Sequence, residues 1–84
     1  MLSHAHLHSL TIRPARDEDS RALTDLAQLD SARPLDGAIL IAEAEDRPLA
    51  AIDVLTGRLI ADPFHHSAYE ADILRARARQ LRAA

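Results

Sequence analysis

From residue 9 onward the apolar positions switch between a two-residue period and a three-to-four-residue period, and each switch marks an element. Ser9 to Arg13 alternate, with Leu10 and Ile12 on one side, and Pro14 ends this strand. Over residues 15–31, Ala22, Leu23, Leu26, Ala27 and Leu29 form a stripe that predicts a helix. Asp17 is its expected N-cap, Glu18 and Asp19 suit the positive end of its dipole, and Arg21 is spaced to pair with Asp25. Pro34 and Gly37 then break the helix.

Residues 38–42 are apolar without alternation, which is the pattern of a strand covered on both faces. "EDRP" reads as a turn, and "LAAIDVL", residues 49–55, as a second such strand. Thr56-Gly57 is a two-residue hairpin signal leading into "RLIAD". Asp53 is the single charge inside this strand pair. It fits an edge, a bulge or a partly wet position, or the lining of a site. Ala71, Leu74, Ala78 and Leu81 are spaced three, four and three, predicting a helix over 67–81 with Arg75, Arg79 and Arg82 on its solvated side. The order β-α-β-β-β-α predicts an α+β domain: a small, mostly antiparallel sheet with helices on both faces. Residues 1–8 read as an N-terminal extension and 9–84 as a single domain.

Composition narrows this picture. The chain has 84 residues, room for one core, and only two aromatics, so the core rests on Leu, Ile, Val and many alanines. Small side chains bury little area each, which favours self-association as a source of added stability. Cysteine is absent, which removes disulfides and thiolate metal sites. His4, His6 and His8 alternate, but no carboxylate or cysteine near them completes a metal site, so no metal is expected. Apolar runs are too short to span a bilayer and no secretion signal is visible, so the expected location is the cytoplasm. All ten cations are arginine, beside abundant alanine, which suggests a high-GC bacterial genome.

Charge is unevenly placed. Residues 17–72 hold thirteen acids against four arginines, a balance of −9, while residues 73–84 hold four arginines and no acid. The basic helix end complements the helix dipole, and the acidic body repels phosphate, which argues against nucleic acid as a partner.

"LTIRPARDEDSRALTDLAQL" followed by "AILIAEAEDRPLAAIDVL" and "RLIADPF" resembles the N-terminal half of the GNAT N-acetyltransferase fold. The likeness covers about residues 9–81: an opening strand, an acid-capped first helix, two strands joined by a tight turn, and a fourth strand with its "DP" corner. That family holds the acetyl-CoA pyrophosphate on a glycine-rich turn at the start of the next helix. Aligned on Asp62-Pro63, His66 falls near the family's arginine position, and Ser67, Tyr69 and Ala71 fall on glycine positions. No glycine follows Gly57, and the chain ends where the family's fifth strand would begin.

The resemblance therefore implies a truncated, non-catalytic half-GNAT-like domain that acts through association, with no cofactor. The expected association is a homodimer, through an exposed sheet edge or the C-terminal helix, or a complex with another protein. The alternative it implies is an acyl-CoA-dependent N-acetyltransferase, with Asp53, His65, His66 and Tyr69 as candidate acid-base groups and His66, Ser67 and Ala68 as candidate acetyl-CoA contacts. A third expectation is a small regulator using its Arg-rich C-terminal helix. Within the corner itself, Pro63 is expected to set the turn and Phe64 to plug the edge of the core.

Overall fold

The computed structural model describes residues 10–65 and 68–84. Four strands, β1 (Leu10–Pro14), β2 (Ile39–Ala44), β3 (Arg47–Asp53) and β4 (Leu59–Ala61), form one antiparallel sheet in the order β1-β2-β3-β4. Helix α1 (Ser20–Leu29) lies between β1 and β2 in sequence, and helix α2 (Ala68–Ala83) follows β4. The α+β architecture and the element order match the expectation from sequence.

The register explains the strands without alternation. Ile41, Ala51 and Ile60 stand opposite one another across β2, β3 and β4. They pack with Leu23, Leu26 and Ala27 of α1 and with Leu35. One residue along, Ala42 faces Ala50, and Leu40 faces Ile52; these pack with Leu74 and Ala78 of α2. Each face of the sheet therefore has its own small core, and every residue of β2 and β3 near the middle is needed on one face or the other. Alanines at 42 and 50 let α2 approach the sheet closely.

Several local expectations are corrected. The turn after β2 is only Glu45-Asp46, because Ala44 pairs with Arg47. Both turn residues have positive φ, 53° and 63°, the backbone of a two-residue hairpin whose twist matches the strands. Arg47 and Pro48 belong to β3. The strand accommodates Pro48 through a bulge, since Ala42 pairs with Ala50 but Glu43 with Pro48, leaving Leu49 as the extra residue. Thr56-Gly57 is not a two-residue hairpin but part of a four-residue loop, closed where the Asp53 N–H donates to the Arg58 carbonyl at 2.9 Å.

The start of α1 also differs. Asp17–Asp19 forms a 3-10 turn before the α-helix, so Asp17 is not its N-cap. Asp19 organises the entry instead. It accepts the Arg16 N–H at 2.6 Å and both terminal guanidinium nitrogens of Arg13 at 2.8 Å. Arg13 also donates to Glu43, so β1, β2 and the helix entry are tied by one cation. Arg21 and Asp25 form no ion pair, and Leu29, at the end of the stripe, is 46% exposed.

The candidate site at the β4–α2 corner

Asp62 builds the corner. Its side chain is buried, one oxygen accepts the Phe64 N–H at 2.8 Å and the other accepts from Arg47 Nη2 at 3.0 Å. Its backbone N–H donates to the Leu49 carbonyl, and its carbonyl accepts from the His65 N–H. An Asp before Pro is well suited to this, because its short carboxylate reaches the amide two residues on while Pro63 holds φ. With that amide engaged, the chain leaves the sheet edge sharply and can start α2 on the opposite face.

Phe64 does not plug the core. It is 83% exposed, because the Asp62 turn aims the segment outward and the α2 face is already filled by Leu74 and Ala78. Tyr69, in the first turn of α2, is 67% exposed. The only phenylalanine and the only tyrosine of the chain thus both face solvent at one corner.

Beside them lies a cavity of about 190 Å3, lined by Leu10, Ala44, Leu49, His65, Tyr69 and Glu70. Leu10 and Ala44 are paired at the end of the β1–β2 ladder, and α2 brings Tyr69 and Glu70 over them. His65 Nε2 stands 3.7 Å from one Glu70 oxygen, beyond hydrogen-bond distance. The other oxygen, Oε1, is buried with no hydrogen-bond partner among the described residues. Of the residues singled out by sequence, the structure therefore brings His65 and Tyr69 together.

Asp53 does not join them. It sits at the far end of β3 from the corner, about 20 Å of strand away from Arg47. There it is 6% exposed, and its Oδ1 accepts the N–H groups of Leu55 and Thr56 at 2.9 and 3.1 Å. Its second oxygen lies against Gly37, where an added Cβ would stand 3.4 Å away. Asp53 is thus neither a bulge nor a wet edge but the organiser of the β3–β4 loop. Ala68 is exposed in the first turn of α2, and the candidates His66 and Ser67, like His4, His6 and His8, lie outside the described residues.

From sequence, Glu70 carried no site role, and Arg47 read only as part of the "EDRP" turn. The signal for Asp62 was present in "DPF". No local signal marks Glu70, since its burial depends on β1 and β2 passing beneath α2. Among the described residues, no group of three or more His, Asp or Glu could hold a metal ion, and no helix is long and apolar enough to cross a membrane.

At the basic end, Arg82 is exposed, as expected, but it is not free of the rest of the fold. It folds back and donates to the Val54 carbonyl at 2.6 Å, tying the last turn of α2 to the β3–β4 loop. Arg75 and Arg79 stay exposed, and Tyr69, Ile73, Ala76 and Gln80 form a second stripe along the helix, spaced four, three and four. Tyr69 and Gln80 are exposed on this stripe, and Ile73 and Ala76 are half-buried.

Comparison with protein-family models, with curated proteins and with solved structures yields no match for this chain.

Proposed function

We propose that this chain is a non-catalytic association domain of a bacterial cytoplasm, half-GNAT-like in layout, whose first partner is a second copy of itself. The observation that carries this reading is the exposure of Phe64 and Tyr69 at one corner. Aromatic side chains lose much free energy when left in water and are enriched at the centres of protein interfaces. A chain with two aromatics that keeps both out of its core has them available for another surface.

Charge favours a second copy as the occupant. Exposed Asp72 lies near the start of α2, and Arg75, Arg77 and Arg79 lie further along it. Two α2 helices packed antiparallel about a two-fold axis set the acidic end of each beside the basic end of the other. The stripe Tyr69–Ile73–Ala76 then supplies a narrow apolar seam between them, with Gln80 at its polar end.

The sheet edge supports self-association less well. β4 has three residues, and the Asp30 carboxylate accepts the Ala61 N–H at 3.1 Å. Arg58 covers the neighbouring segment by donating to the carbonyls of Arg33 and Pro34 at 3.0 and 2.6 Å. Such covering is how natural sheets avoid edge-to-edge pairing.

Sedimentation velocity tests the proposal. The chain is expected to sediment as a dimer at about 50 µM, an affinity typical of a modest interface. Phe64→Ala/Tyr69→Ala is expected to sediment as a monomer there with unchanged circular dichroism. A wild-type monomer at that concentration would remove self-association.

A further inference from the structure

The cavity beneath Tyr69 offers a second opportunity. Its walls are apolar where Leu10, Ala44 and Leu49 contribute, and it carries one carboxylate at its side. The Glu70 side chain is only 13% exposed, yet neither oxygen has a hydrogen bond among the described residues: Oε1 has no partner, and Oε2 is 3.7 Å from His65. An oxygen removed from water without a donor, as Oε1 is, retains a strong demand for one.

From this geometry we propose that the cavity binds a small planar cation, an amidinium or guanidinium carried on one apolar group. A planar fork presents two parallel N–H donors to one carboxylate, a geometry that a compact ammonium does not match. Tyr69 lines the same cavity and offers an aromatic surface on which such a plane can stack. Size agrees as well: about 190 Å3 accommodates one ring, since an apolar cavity of about 150 Å3 holds benzene. The site shares Tyr69 with the proposed association surface, but its other lining residues, Leu10, Ala44, Leu49 and Glu70, lie between α2 and the end of β1–β2 and not in the seam.

The shared chemistry has two sources, a free small molecule or an arginine side chain of a protein, and the test separates them. The full chain is titrated with benzamidine, with Nα-acetyl-arginine N-methylamide, and with benzylamine and benzyl alcohol as comparisons, following the amide and methyl resonances of Leu10, Ala44 and Leu49. Benzamidine is expected to saturate with a dissociation constant of about 0.1–1 mM, ordinary for a ligand of this size. Binding of benzamidine alone supports a free ligand, and saturation by the arginine amide as well supports a protein side chain. Glu70→Gln is expected to weaken binding at least about tenfold, the loss typical of a charge-assisted pair. Ala44→Leu, which fills the cavity and leaves Glu70 in place, is expected to abolish it. No saturable shift with either planar cation, equal affinity for benzyl alcohol, tighter binding of benzylamine, or an unchanged constant in Glu70→Gln would each overturn the proposal.

Discussion

Glu45 and Asp46 occupy left-handed backbone, φ 53° and 63°, in a turn that Asn-Gly fills at lower cost. A side chain with a Cβ is strained in that region, and two in succession compound the effect. Replacing the pair by Asn-Gly should stabilise the chain by about 1 kcal/mol, read as a rise in the urea midpoint with unchanged slope. Arg13 is the other residue on which much rests. Beside it, the carboxyl of Asp19 is held well below the ordinary carboxylate range, first by the Arg13 hydrogen bonds and then by the Arg16 amide. Its folded pKa is depressed, so its contribution is fully present above the unfolded value of about 4 and is lost as pH falls through that value toward the folded one. Arg13→Ala should cost about 3 kcal/mol at neutral pH by leaving Asp19 buried without its cation. The same substitution should flatten the loss of stability below about pH 4, measurable by urea titration at several pH values. "IRPARDED" announced an acidic helix start, but not that Asp19 rather than Asp17 would organise it. That choice is made by Arg13, which reaches the turn only because β1 pairs with β2 and points its guanidinium past Glu43.

The strands and helices were legible wherever one period ran for two turns or more. α1 and α2 announced their buried sides through Leu23, Leu26 and Ala27, and through Ala71, Leu74 and Ala78. Their ends were less legible, because Leu29 and Leu81 continue each stripe after the sheet beneath it has run out; they are 46% and 42% exposed. Pro48 was read as a turn residue for the sound reason that it lacks an N–H. The bulge at Leu49 absorbs it, which follows from register and not from local sequence. At this scale the helix–sheet contact of α2 is testable. Leu74 is fully buried against Leu40, Ile52 and their neighbours, so Leu74→Ala should cost about 3 kcal/mol in denaturant unfolding. Asp30→Ala removes the acceptor covering the Ala61 N–H. With that donor bare, β4 should become a pairing edge, seen in light scattering as concentration-dependent association beyond that of the unsubstituted chain.

Across the whole molecule, charge is segregated along the chain: a −9 balance over residues 17–72 and four arginines within the last twelve. If two copies meet through antiparallel α2 helices, raising salt from about 0.05 to 0.5 M should weaken the dimer, because exposed pairs are screened beyond the Debye length. The apolar seam should leave a residual affinity that salt does not remove. Substituting Arg79→Glu should weaken the dimer further at low salt and abolish most of its salt dependence, both read by sedimentation equilibrium.

Residue pattern alone was enough to specify an α+β domain with helices on both faces of an antiparallel sheet. Hydrophobic period follows directly from helix and strand geometry, and strands apolar on both sides have to be covered twice. Which polar groups share a site was not written in any local pattern. Asp53 and Tyr69 looked equally suited to one groove, but β3 separates them by its length, and Asp53 spends its carboxylate on the loop it closes. Nothing local to Glu70 marks it either: β1 and β2 pass beneath it and remove Oε1 from water. Burial, and with it the demand of a carboxylate for a partner, is a property of what the chain brings near from far away in sequence.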